Sequence, residues 1–223
     1  MLYYQEERIK LYNGDCLQEL DNIQEKIDLV ITDPPYFVIN KKVEWDKFDN
    51  LEEYLNFLKI WYEKLLTKMK ENSSIYIFFS QKFMKEGMDL FNPDKCLIWH
   101  HPNLAFLTNK TFLYMYDVIF YITIGKSIFN ASFIDKENVD VFTYAKPQSN
   151  FKKDRKIYGT QKPLELIKNF VKISSNEEDM VLDCFAGSGT TLAAAKELKR
   201  NAIGIEISKE TCDLIVNRIK GAK

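Results

Sequence analysis

One stretch limits this chain more than any other: Val181-Leu182-Asp183-Cys184-Phe185-Ala186-Gly187-Ser188-Gly189-Thr190-Thr191. Apolar residues suited to a strand run into a Gly-Ser-Gly turn, and a helix starts at once from Thr190. Glycines let a backbone approach a ligand closely, and a helix start offers unpaired N–H groups. A nucleoside triphosphate loop needs Gly-Lys-Ser or Gly-Lys-Thr, and no lysine follows Gly189. A dinucleotide fingerprint wants a third glycine where Leu192 stands, which weakens a pyrophosphate grip. Glu206 closes the next strand roughly 20 residues on, the place where an acid binds ribose hydroxyls. A ligand with a ribose and no phosphates meets all of these conditions, and S-adenosylmethionine is such a ligand. A plain tight turn explains the glycines and leaves the acid unexplained.

A second stretch lies far upstream. The run Ile27-Asp28-Leu29-Val30-Ile31-Thr32 reads as a buried parallel strand, stopped abruptly by Asp33-Pro34-Pro35-Tyr36. This places a carboxylate, two prolines and an aromatic ring at the strand's C-terminal edge, where open α/β sheets bind ligands. On its own the tetrapeptide reads equally well as a stiff turn, since Asp-Pro commonly begins one.

The order of elements fits one α/β domain over all 223 residues. Residues 8–12 form a short strand and residues 16–23 a helix with Leu17 and Leu20 on one face. Residues 37–50 form a loop. Residues 51–69 place Leu51, Tyr54, Leu55, Leu58, Trp61, Tyr62 and Leu65 at helical spacing. Residues 74–79 are a short apolar strand, 81–91 a helix, 95–99 and 116–124 strands, with 114–121 in the sheet core. The pattern weakens over residues 125–158, the candidate variable and target-recognition segment. Then come helix 164–173, strand 180–184, helix 190–198, strand 202–206 and helix 209–219 with Leu214 and Ile215 inward. Strands alternating with helices mean a mostly parallel sheet.

Composition excludes several classes. A net charge of −1 gives no global nucleic-acid signature, so such a partner needs a local patch. No apolar run nears the roughly 20 residues that span a bilayer, and residues 1–8 do not resemble a secretory signal. A cytoplasmic protein is expected. Cys16, Cys96, Cys184 and Cys212 form no Cys-x-x-Cys pair, and only two adjacent histidines, His100 and His101, accompany them, so no metal site is expected.

Together the motifs resemble the amino methyltransferases of DNA. Asp33-Pro34-Pro35-Tyr36 precedes Phe185-Ala186-Gly187-Ser188-Gly189-Thr190-Thr191, and this order resembles their β class. Tyr12-Asn13-Gly14-Asp15-Cys16, Thr160-Gln161-Lys162-Pro163 and Ile203-Gly204-Ile205-Glu206 match further motifs in order. Where the family commonly has His-Pro before Thr-Gln-Lys-Pro, this chain has Tyr158-Gly159. The resemblance implies a Rossmann-like, S-adenosylmethionine-dependent methyltransferase fold with a circularly permuted, seven-stranded, mostly parallel sheet and a short inserted recognition region. It also implies S-adenosylmethionine as cofactor and DNA as substrate, and extends to a homodimer and a cognate restriction enzyme. Asp15 and Cys16 would meet the adenine of the cofactor, Glu206 its ribose, and Thr160, Gln161 and Lys162 its methionine end. Asp183, Phe185, Ala186, Gly187, Ser188, Gly189, Thr190 and Thr191 would line its loop, with Asp33 also touching it.

The expected chemistry is methyl transfer to adenine N6 of a flipped base. Cytosine N4 is the alternative, and a non-catalytic subunit of the same fold is a third reading. The adenine amine is a poor nucleophile because its lone pair is delocalised into the ring. Hydrogen bonds to the Asp33 carboxylate and the Pro34 carbonyl would favour a pyramidal nitrogen. Tyr36 would stack on the base, which is out of reach inside an intact duplex. For DNA, Lys152, Lys153, Arg155 and Lys156, together with Lys162 and Lys168, form a basic cluster suited to phosphates. Lys41, Lys42 and Trp45 follow the catalytic motif on a loop that could close over the base.

Overall fold

Five consecutive parallel strands decide where the motifs meet. A computed structural model of the chain describes residues 1–37, 48–103, 112–134, 139–150 and 154–221. Its strands are β1 (Leu2–Gln5), β2 (Ile9–Asn13), β3 (Ile27–Thr32), β4 (Met69–Phe79), β5 (Lys95–His100), β6 (Tyr116–Ile124), β7 (Val141–Thr143), β8 (Met180–Asp183) and β9 (Asn201–Glu206). They form one sheet in the order β1-β2-β9-β8-β3-β4-β6-β5-β7. From β2 through β4 every neighbouring pair is parallel. The block β1 and the strand β6 join antiparallel, and β7 lies parallel to β5.

Nine strands replace the expected seven. The two additions are short edges, β1 and β7, whose four and three residues are too few to carry a pattern.

Alternation of side chains along the strands builds two cores. Leu29 and Ile31 point to one face, with helices α4 (Leu164–Ser174), α5 (Thr190–Glu197) and α6 (Lys209–Gly221). Val30 points to the other, with α1 (Cys16–Asn22), α2 (Leu51–Leu66) and α3 (Met84–Phe91). Because both faces are covered, β3 is buried along its whole length. Among the described residues no helix is long and apolar enough to cross a membrane.

Several spans differ from the sequence reading for local reasons. Helix α2 buries Tyr54, Leu58, Trp61 and Leu65 on one stripe and stops at Leu66, so Met69 begins β4 opposite Ile27. Strand β4 therefore has eleven residues; its exposed Lys70, Glu71 and Asn72 concealed its first half. A 3-10 turn, Gln81–Phe83, precedes α3. On α6 the inward side is Thr211, Cys212, Ile215 and Ile219, and Leu214 is 40% exposed. Ile215 lies on the stripe of Cys212 and Ile219, whereas Leu214, about 100° round the helix from it, falls to the exposed side. Tyr114 also lies outside the core, exposed ahead of β6, while Val118 to Tyr121 are buried. Within residues 125–158, Asn130 ties the chain to α4 through the Lys172 carbonyl and its own N–H to that of Ile173. This segment is joined to the sheet through β7 rather than standing apart.

Candidate active site

Register brings the motifs to one edge. Leu29 pairs with Val181 and Val30 with Leu182, so β3 and β8 end side by side. Thr32 Oγ1 then donates to Asp183 Oδ1 at 3.0 Å. Asp183 pairs with Gly204 across β8 and β9, and Asn13 pairs with Glu206 across β2 and β9. The tips of these strands surround a cavity of about 700 Å³.

The glycine loop is fixed by backbone geometry. Gly187 and Gly189 have φ of +49° and +69°. A methyl at Gly189 would come within 2.8 Å of Ile215 Cγ2, so α6 seats directly on the start of α5. The Ala186 N–H donates to the Ile205 carbonyl at 2.8 Å, and the Gly187 N–H to Glu206 Oε2 at 2.9 Å. The other Glu206 oxygen accepts the Ser208 N–H at 2.8 Å. Burial pushes the Glu206 carboxyl up from its ordinary pKa, and the backbone donors oppose that shift. Buried Asp183 is raised to about 6 for the same reason, although it accepts from Thr32 and from the Phe185 N–H at 3.1 Å.

Across the cavity, Asp33 is engaged on both oxygens. Tyr36 donates its hydroxyl to Oδ1, and the Lys162 ammonium pairs with Oδ2. The same ammonium lies 4.9 Å from the Phe78 ring centroid, so its position is set from two sides. Burial, then the charges of Asp33 and Asp117, hold the Tyr36 phenol well above its ordinary pKa, so it stays a donor. Behind them Tyr54 donates to the Pro35 carbonyl at 2.9 Å, fixing the diproline from α2.

Asp33, Pro34, Pro35 and Tyr36 line this cavity, as do Asp15, Cys16, Thr160 and Lys162. Asp183, Phe185, Ala186, Gly187, Ser188, Thr190, Thr191 and Glu206 line it too. Asp15 also caps α1, accepting the Leu17 N–H at 2.8 Å. Two expected ligand residues stand elsewhere. Gln161 is buried within its own loop, donating to Asp154 at 2.8 Å and accepting the Ile157 N–H at 2.9 Å. Gly189 lies behind the cavity wall, where it serves the turn into α5.

The basic cluster is only partly a free surface. Arg155 and Lys156 are exposed, whereas Lys162 holds Asp33 and Lys168 pairs with Glu197 and Glu165. Lys41, Lys42, Trp45, Lys152 and Lys153 lie outside the described residues. Among the described residues no three His, Cys, Asp or Glu side chains gather as metal ligands do. Phe48, Phe57, Phe78 and Ile207 also line the cavity without having been singled out in the sequence, and Tyr158 of the Tyr158-Gly159 departure lines it as well. Phe57 had a detectable signal, since it sits on an amphipathic helix just off the buried stripe.

Three parallel strands ending in an acid, a glycine loop and a second acid, with Asp-Pro-Pro-Tyr beside them, define a methyltransferase site. The chain belongs to the N6/N4 DNA methylase family, whose model matches residues 27–217. The Type II methyltransferase M.HpaI of Haemophilus parainfluenzae is 30% identical over 238 residues, covering 94% of this chain and 74% of that protein. M1.MboII of Moraxella bovis, also a Type II methyltransferase, is 28% identical over 245 residues, covering 90% and 92%. Among solved structures, the M1.HpyAVI–SAM complex superposes with a TM-score of 0.74 at 25% identity, covering 95% of this chain and 98% of that one. The cytosine-N4-specific PvuII DNA methyltransferase shares the fold, with a TM-score of 0.75 at 18% identity, covering 99% and 95%.

Proposed function

We propose that the protein transfers a methyl group from S-adenosylmethionine to the exocyclic N6 of adenine in DNA. The observation that carries this reading is that Asp33 and the Glu206–Gly187 pair open into one cavity. The residues present fit the cofactor. A volume of about 700 Å³ is ample for a ligand of that size. Each Glu206 oxygen holds one backbone N–H, which fixes the carboxylate and leaves lone pairs for ribose hydroxyls. Asp15, Cys16, Thr160 and Lys162 all line the cavity, and in this reading the first two meet the adenine and the last two the methionine. When bound, the cofactor supplies an electrophilic methyl on a sulfonium centre.

The chain's own residues aim the amine. Asp33 is a carboxylate with about four lone-pair sites, and two donors leave acceptors for an amine N–H. The prolines present the Pro34 carbonyl as a second acceptor without a competing N–H. Two such bonds draw the nitrogen towards a pyramidal shape with its lone pair outward. Orientation is the main lever, so no covalent enzyme intermediate is required. After transfer the methylated nitrogen is cationic and acidic, and its proton leaves towards Asp33.

We extend the proposal to residues 125–158 as the target-recognition segment, and to a homodimer serving a cognate restriction enzyme. Incubation with S-adenosylmethionine and mixed-sequence DNA, digestion to nucleosides and mass spectrometry tests the central claim. N6-methyladenine is expected. N4-methylcytosine would overturn the choice of base, and cofactor binding without product would indicate a non-catalytic subunit.

A further inference from the structure

A largely buried arginine on the last helix fastens the loop of residues 154–162 to the glycine loop. Arg218 lies near the end of α6, far in sequence from the motifs, and its side chain is 13% exposed. Nη1 donates to the Ser188 carbonyl at 3.1 Å and to Thr190 Oγ1 at 2.9 Å, both on the glycine-loop wall. Nη2 donates to Asp154 Oδ1 at 2.9 Å, on the loop that carries Tyr158.

Asp154 is itself a junction. Oδ1 also accepts Gln161 Nε2 at 2.8 Å, and Oδ2 accepts the Leu164 N–H at the start of α4 at 2.8 Å. Its φ of +49° is uncommon for a residue with a side chain, so the loop is bent to deliver this carboxylate. Thr190 Oγ1 completes the circuit by donating to the Lys162 carbonyl at 3.4 Å. Residues 154–162 are thus closed internally by Gln161 and fastened to the glycine loop through one guanidinium.

The fastened loop carries Tyr158. An added methyl on Gly187 would meet Tyr158 Cε1 at 3.5 Å, so the ring lies over the glycine loop. Tyr158 shares this cavity with Glu206 and Asp33, and burial, then those two charges, raise its phenol from the ordinary pKa. Tyr158 lines the cavity, whereas Arg218 and Asp154 do not.

We infer that Tyr158 is a cofactor-contacting residue and that Arg218, acting through Asp154, is the positioning residue that holds it there. This rests on S-adenosylmethionine as the cofactor. A guanidinium fits the task because its planar fork reaches two loops at once, which a lysine's point charge does not.

The test measures the affinity for S-adenosylhomocysteine by calorimetry, the KM for S-adenosylmethionine, and kcat at saturating cofactor. Arg218→Gln and Asp154→Asn should each weaken cofactor binding about tenfold while kcat stays within about twofold. The double variant should be no weaker than the worse single variant, because one linkage is broken either way. Arg218→Lys should recover part of the loss. Tyr158→Ala should match the Arg218 variant, and Tyr158→Phe should retain most binding. If Arg218→Gln does not fold, Asp154→Asn and Tyr158→Ala read the same quantity. Full cofactor affinity in Asp154→Asn and Tyr158→Ala overturns the inference. A wild-type protein that binds no S-adenosylhomocysteine overturns the cofactor reading itself.

Discussion

The two sides of the cavity are built by different means. On the glycine-loop side the main chain does the work: Gly187 and Ser208 N–H groups hold Glu206, and the Ala186 N–H holds the Ile205 carbonyl. On the Asp33 side the contacts are between side chains, with Tyr36 and Lys162 on the carboxylate and Tyr54 on the Pro35 carbonyl. Main-chain contacts are set by sheet register and persist as long as the sheet does. Side-chain contacts can be exchanged for those of an incoming base at little cost to the fold. One side is therefore suited to a ligand of constant shape, and the other to a substrate that must enter and leave.

This contrast can be broken by substitution. The largest effect is expected from Asp33→Ala, which should lower methyl transfer by about 10²-fold or more while cofactor affinity largely survives. Retained activity, measured by tritium incorporation into DNA, would remove Asp33 from the chemistry. Next is Asp183→Asn on the main-chain side. The Asp183 pKa is raised to about 6 in the folded protein, so folding favours its protonated form. Its relative contribution is most favourable below the unfolded pKa of about 4 and is lost as pH rises through about 6. An asparagine keeps an acceptor for Thr32 and Phe185 without the buried charge. The variant should gain up to about 3 kcal/mol relative to wild type at pH 8, and little at pH 4. Denaturant titrations at both pH values check the sign.

A smaller effect is expected from Tyr54→Phe, which leaves the Pro35 carbonyl without this donor. It should cost about 1 kcal/mol of stability and lower kcat more than cofactor affinity. An equal loss in both would mean that the two sides are not independent. The smallest effect belongs to Arg155→Gln and Lys156→Gln together. If both side chains meet phosphates, the slope of log DNA affinity against log salt should fall by about 2, with cofactor binding unchanged.

How legible each part was follows from the same difference. Strand ends and glycine turns are local events, so Gly187 and Glu206 could be placed from spacing, whereas Asp33 could be placed at a strand end and took its role from the family resemblance. Neighbouring identities across the sheet follow once β3 and β8 are adjacent. The edge strands β1 and β7 were too short to announce themselves, and Lys70 to Asn72 hid the first half of β4 behind polar residues. Gln161 sits inside a matching motif, yet its amide turns back on its own loop, a choice made by Asp154 seven residues earlier. Arg218 carried no signal, because an arginine near the end of an amphipathic helix looks solvated until the opposing loop is known. Lys168 blended into a basic run, and Lys162 stood both in that run and in the Thr-Gln-Lys-Pro motif; their partners Glu197 and Asp33 separate them from the exposed Arg155 and Lys156.

The Thr32–Asp183 hydrogen bond joins positions 151 residues apart. Between them the chain must lay down four strands, β4 to β7, and the helices α2 to α4. During synthesis Asp33, at the end of β3, therefore leaves the ribosome long before the strand that seats beside it. An N-terminal fragment ending before Glu206 lacks one of the two acids, so under the proposed roles it is expected to transfer no methyl group. The site can close only once the chain includes β9 and β8 lies between β3 and β9.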